Sequence, residues 1–158
     1  MPRIAIDTPT DVRLLTKGFS VGEALGALNA ANPEAGAIVS FVGKVRPEQS
    51  VQALELTHYE PLTLPGMVDL AERALERFEL DGVLAWHRIG YLSPGQAIVL
   101  VAAASRHRRS AFGATDYLMD HLKSAAWFWK REKRADEWRW IEPTPRDHAD
   151  RARWDCSN

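Results

Sequence analysis

The chain has 158 residues, 46% hydrophobic and 26% charged, with a formal net charge of -1. That length fits a single domain, 1–158, whose core needs no disulfides, and the near-neutral charge argues against a dedicated nucleic-acid binder. One cysteine, Cys156, excludes an intramolecular disulfide, a CxxC redox pair and a multi-cysteine zinc site, so no metal is expected.

The N-terminus lacks a continuous apolar h-region, and no stretch approaches the ~18 apolar residues of a membrane span, so the expected location is cytoplasmic. Ile4 and Ile6 alternate with Ala5 and Asp7, which predicts a short first strand. Ser20-Val-Gly-Glu23 is a capping-box pattern opening a helix through Ala24, Leu25 and Leu28, which Asn32-Pro33 ends. Gly36–Arg46 reads as a strand with a mostly buried middle, and Lys44 and Arg46 share one face of its end. Val51–Tyr59 alternates, with Leu54, Leu56 and His58 on one side, and is expected to be the antiparallel partner of that strand. A turn at Glu60–Pro65 leads into a helix from about Gly66 to Glu79, broken by Asp81-Gly82. Val83–Tyr91 and Ala97–Ala104 read as strands joined by a hairpin loop at Ser93-Pro-Gly-Gln.

The stretch from Ser105 to Glu132 concentrates the chemistry. It opens with Arg106, His107, Arg108 and Arg109, and Ser110 is a plausible N-cap for the helix that follows. Ala111, Ala114, Thr115, Leu118, Met119 and Leu122 form its apolar stripe, with Lys123 at the edge and Asp116, Asp120 and His121 on the polar side. A lysine so placed usually lays its stem on the core and keeps its ammonium wet. Trp127, Phe128 and Trp129 are more often core or interface anchors than a stacking platform. Convergence favours a functional reading. Cations ahead of a helix bind an anion together with its free N–H groups, and a lysine desolvated beside other cations acquires a lowered pKa suited to base or nucleophile work. After Lys130 the pattern predicts a charged linker, Arg131–Glu137, a short strand at Trp138–Ile141, and a polar tail from about 143 with one aromatic, Trp154. His58 and His87 read as structural, and His148 as solvated. The order of elements predicts an α+β fold with helices packed on a mixed or antiparallel sheet.

Four strings, GAIVSFVGKVR, HRIGYLSPGQAIVLV, SRHRRSAF and MDHLKSAAWFWKRE, run in this order between about Gly36 and Glu142. Together they resemble the large, catalytic subunit of molybdopterin synthase. The resemblance implies an α/β-hammerhead fold and a sulfurtransferase. Its partner would be a small ubiquitin-like subunit carrying a C-terminal thiocarboxylate, and its substrate cyclic pyranopterin monophosphate, converted to the molybdopterin dithiolene. It implies a homodimer of large subunits with two small subunits, and no cofactor. Lys123 falls on the family's principal catalytic lysine and Lys130 on a second functional lysine, with Arg131 and Glu132 in the same substrate-binding segment. Arg46, His107 and Arg108 match positions that bind the pterin phosphate, flanked by Lys44 and Val45. Arg109 adds a cation to which the resemblance gives no role. Two alternatives use the same residues: a non-catalytic module that binds a ubiquitin-like tail, and a single-stranded nucleic-acid binder that grips phosphate with Arg106–Arg109.

Overall fold

A computed structural model describes residues 4–48, 50–125 and 127–155; Cys156 lies outside them. The elements are β1 (Thr10–Leu15), α1 (Val21–Ala31), β2 (Ala37–Lys44), β3 (Val51–His58), α2 (Glu60–Arg77), β4 (Gly82–Arg88), β5 (Gly90–Leu92), β6 (Ala97–Ser105), α3 (Arg108–Ser124), β7 (Phe128–Arg134), β8 (Glu137–Ile141) and α4 (Pro145–Ala152). They form two four-stranded sheets, ordered β1-β4-β6-β2 and β5-β3-β7-β8. The first is mixed, because β1 runs parallel to β4, whereas the strand pairs of the second are antiparallel. The architecture is α+β, as the pattern predicts.

Strand alternation distributes the first sheet's side chains between two helical layers. Leu84, Trp86, Leu100 and Ala102 face α1, whose Ala24 and Leu28 are fully buried against them. Val83, Val99 and Val101 face the other way, under Met67, Leu70 and Ala74 of α2 and Leu118 and Leu122 of α3. Each fully buried Leu or Val contributes on the order of 2 kcal/mol relative to exposure. A third, smaller cluster of Val45, Leu54, Leu56 and Leu92, with Phe128 and Ile141 packed on it, lies under the second sheet.

Several local expectations are corrected. The first strand is Thr10–Leu15, where backbone partners on β4 exist, and Ile4 and Ile6 pack into the cluster beneath α1 instead. β3 is not the partner of β2. Strand β2 pairs with β6, its register shifts between Gly43 and Lys44, and the chain then crosses to the second sheet, where β3 pairs with β5 and β7. Alternation fixes which face is buried, not which strand lies alongside. Gly90 makes a similar transfer possible: its φ of 88° is open to glycine at no steric cost, and it is the first residue of β5, where the chain has left β4 for the other sheet. Helix α2 starts at Glu60, absorbing the predicted turn, with a proline in its first turn and Pro65 inside it. The charged stretch Arg131–Glu137 is mostly the strand β7, turning at Ala135 with a φ of 51°. His121 is buried, its ring bonded to the Tyr117 carbonyl at 2.8 Å. The N-cap of α3 is His107; Ser110 sits inside the first turn.

Candidate active site

The ends of the two sheets and of α3 enclose a cavity of about 690 Å³. Its floor is apolar, with Leu54 and Leu56 from β3, Val99 from β6 and Leu122 from α3. Its rim carries cations from three elements: Lys44 and Arg46 at and beyond the end of β2, Lys123 in the last turn of α3, and Lys130 on β7.

Register explains why Lys130 points inward. It pairs with Leu56, and Glu132 pairs with Leu54, so both share the buried face of the second sheet. Arg131, between them, pairs with Glu55 and takes the outer face. There it forms an ion pair with Glu55, and its guanidinium lies 4.5 Å from the Trp138 ring centroid. Arg131 does not line the cavity, whereas Glu132 does, held to Arg134 at 2.6 Å.

The two lysines stand in different environments. Lys123 is exposed at the rim, as a lysine on the edge of an apolar stripe usually is. Lys130 is half-buried, and desolvation holds its pKa below the usual lysine value; Lys123 lowers it further, Glu132 and Asp147 oppose that, and Arg46 adds to it. A lysine relieved of part of its charge preference in this way gives up a proton more readily than a fully hydrated one.

Val45 is buried and Arg46 exposed, with Arg46 3.7 Å from Glu48. Thus Lys44, Val45, Arg46, Lys123, Lys130 and Glu132 come together on one cavity. His107 and Arg108 do not. They are exposed at the opposite end of the 17-residue α3, which places Arg108 roughly 22 Å along the axis from Lys123. Gly36, whose N–H donates to the Ser105 carbonyl at 2.9 Å, sets the start of β2 beside that cationic turn.

Two cavity residues escape the sequence reading. Asp147 lies in the polar stretch after residue 143, on α4, where Thr144 and Asp147 form a reciprocal capping box. The box was visible as T-x-x-D, but nothing local ties it to the lysines. Desolvation, the largest influence on Asp147, raises its pKa, yet bonds from Thr144 and the charges of Lys123 and Lys130 outweigh it and hold the carboxyl low. His87, read as structural, also lines the wall. Its ring is stacked on Phe128 at 3.9 Å, and burial lowers its pKa to about 4, with Lys130 contributing and a bond to the Arg88 carbonyl opposing.

Beside Lys123 a shallower groove of about 390 Å³ is lined by Val39, Phe41, Phe112, Thr115 and Met119. Phe41 and Phe112 are 42% and 62% exposed, more than packing within one chain requires. Among the described residues no group of three or more His, Cys, Asp or Glu side chains is arranged to hold a metal ion, and no helix is long and apolar enough to cross a membrane.

Comparison with known proteins gives one consistent answer. A family model described as MoaE protein matches residues 14–125. The molybdopterin synthase catalytic subunit of Caulobacter vibrioides is 47% identical over 145 residues, which cover 91% of this chain and 97% of the relative. The solved structure of molybdopterin cofactor biosynthesis protein E from Burkholderia multivorans is 36% identical and superposes with a TM-score of 0.80, covering 96% of this chain and 100% of that one. The crystal structure of molybdopterin synthase from Staphylococcus aureus is 25% identical with a TM-score of 0.70, covering 81% and 94%.

Proposed function

The chain belongs to the MoaE family, and from that membership we propose that it is the catalytic subunit of a molybdopterin synthase. It takes sulfur from the C-terminal thiocarboxylate of a small ubiquitin-like subunit and delivers it to cyclic pyranopterin monophosphate. Each round breaks the bond between the tail's acyl carbon and its sulfur and forms a bond from sulfur to a pterin side-chain carbon, whose carbon–oxygen bond breaks as its oxygen passes to the tail or leaves as water. The tail is left as a carboxylate, its second oxygen supplied by substrate or water, and two rounds complete the dithiolene.

One observation carries the reading: Lys123 and Lys130, from different elements, meet on one cavity in which Lys130 is desolvated beside other cations. The thiocarboxylate and the phosphate are both anions. A cavity rimmed by Lys44, Arg46 and Lys123 gathers them, Arg46 offering paired donors and the lysines mobile point charges. Lys130 moves the proton, since desolvation holds its amine below the usual lysine range. Lys123 polarises the tail's carbonyl or bonds to it transiently. Glu132 lies on the same face of β7 as Lys130 and orders it, while Val45 shapes the apolar wall.

His107 and Arg108 serve the phosphate from a different direction. Their separation from Lys123 along α3 supports a homodimer in which the cationic turn of one protomer completes the cavity of its partner. The exposed Phe41 and Phe112 beside Lys123 give a protein partner apolar surface to cover. The working assembly is then two large and two small subunits, in the cytoplasm, where the family's chemistry proceeds without a resident cofactor.

The test is reconstitution. Purified protein, thiocarboxylated small subunit and cyclic pyranopterin monophosphate yield the dithiolene, and Lys123→Ala retains the small subunit but loses turnover. If wild type binds the small subunit and yields nothing, the chain is a binding module and the proposal fails.

A further inference from the structure

Among the groups lining the cavity, His87 is the one whose orientation is fixed from two sides while one nitrogen is left over. It is 8% exposed, near the end of β4. Nδ1 lies 2.7 Å from the Arg88 carbonyl oxygen. A carbonyl only accepts, so Nδ1 carries the proton and Nε2 presents a lone pair. Phe128 fixes the ring plane, stacking at 3.9 Å with 15° between planes. Among the described residues no hydrogen bond to Nε2 is formed. Nε2 is not among the fully buried atoms left without a partner, so it opens on the cavity that His87 lines, where a mobile donor can reach it.

Lys130 is a mobile donor on the same cavity, and its charge acts on His87. It follows Phe128 by two residues on the same face of β7, so their Cα atoms are about 7 Å apart, and its flexible four-carbon stem spans that interval. We propose that His87 is a positioning residue for Lys130: Nε2 accepts from the Lys130 amine and holds it toward the interior of the cavity. The groups that face Lys130 from the surrounding elements are Lys123 on α3, Arg46 beyond β2, Glu132 on β7 and Asp147 on α4. The two cations push the amine away and the two carboxylates pull it to the rim. An imidazole offsets both without adding charge. A carboxylate in its place would lock the ammonium in an ion pair and repel an anionic thiocarboxylate or phosphate. The effect on turnover rests on the proposed sulfur-transfer role, but the hydrogen bond does not.

The experiment is pH-resolved labelling of lysines in the full chain with an amine-reactive reagent, read by mass spectrometry, for wild type, His87→Phe and His87→Gln. Loss of the acceptor destabilises the ammonium, so His87→Phe moves the Lys130 midpoint to lower pH by about half a unit or more. The amide oxygen of His87→Gln stands where Nε2 did and keeps the midpoint near wild type; the Lys123 midpoint stays put in both. In the reconstituted assay His87→Phe lowers kcat roughly tenfold at unchanged pterin KM, and His87→Gln recovers most of it. A folded His87→Phe with the wild-type midpoint and turnover overturns the proposal and leaves His87 a packing residue. If His87→Phe does not fold, Phe128→Leu decides: it keeps the imidazole but frees its plane, and is expected to move the midpoint the same way by less, while an unchanged midpoint overturns the proposal. Should wild type make no dithiolene, the functional reading falls and the midpoints still decide this one.

Discussion

The two ends of α3 carry the same kind of charge in opposite settings. At its N-terminus Arg106, His107, Arg108 and Arg109 are all exposed. At its C-terminus Lys123 looks across a cavity at Lys130, which is half-buried and held below the usual lysine pKa by desolvation first and by Lys123 second. Hydrated guanidinium groups attract and orient an anion, and salt screens them. A crowded, desolvated amine can exchange a proton. On the proposed function one helix separates capture from chemistry, and that separation can be broken experimentally.

The sharpest attempt removes each lysine. Lys130→Ala is expected to lower kcat by about 100-fold or more, the range lost with a general acid or base, with Lys123→Ala similar, and small-subunit affinity by calorimetry little changed. If either variant instead lost affinity in step with activity, the cavity end would be a binding site like the other end and the contrast would disappear.

Acid distinguishes the ends next, because a buried titratable group stacks on Phe128, two residues before Lys130. The folded pKa of His87 is about 4, below the roughly 6.5 of an unfolded histidine. Between those values the unfolded chain binds more protons, so stability falls as pH drops from about 6.5 to 4 and the loss is complete below 4. The 2.5-unit difference corresponds to roughly 3 kcal/mol. Thermal midpoints between pH 7 and 4.5 check this, and His87→Phe is expected to flatten the slope.

A smaller effect belongs to the exposed end. Arg108→Ala is expected to raise the pterin KM about tenfold at near-constant kcat, the signature of lost uniform binding. The defect should grow at low salt, where wild type gains most from the exposed cations. A fall in kcat with KM unchanged would move chemistry to the wrong end of α3.

How much of this was legible follows from which features are local. The stripe of α3, the Ser20 cap of α1 and the alternation of β3 repeat within a few residues, so pattern alone reveals them. Sheet partners are not local: β2 and β3 adjoin in sequence yet lie in different sheets, because the chain leaves the first sheet after Lys44. Strand β7, FWKREKR, hides its period because one face lines a cavity and the other pairs Arg131 with Glu55, so charge appears where alternation would show apolar residues. Within the site, Lys44, Arg46, Lys123, Lys130 and Glu132 were legible as cavity groups through the family resemblance. Arg131 takes the opposite face by one step of register. His87 and Asp147 come to the cavity only through packing of β4 and α4, which no spacing encodes.

The smallest predicted effect concerns how α4 reaches the lysines. Arg153, just past its end, bonds Asp116 at 2.6 Å and Asp120 at 2.7 Å on the outer face of α3, and Trp154 donates to Asp120 at 2.7 Å. The Arg153 side chain is 49% exposed and Asp116 53%, while Asp120 is 14% exposed, so solvent screens the first pair fully and the second from the Arg153 side, and Arg153→Ala should cost about 1 kcal/mol. Trp154 remains as a second anchor, packed edge-on against Phe78 and Tyr117. Yet α4 is what brings Asp147 to Lys130, where its charge favours the ammonium. Looser docking therefore moves the Lys130 labelling midpoint slightly to lower pH while the midpoint of Lys44, on a different element, stays fixed. A large drop in thermal stability with no change at Lys130 would show that α4 props up the core and leaves the lysine end of α3 to its own charges.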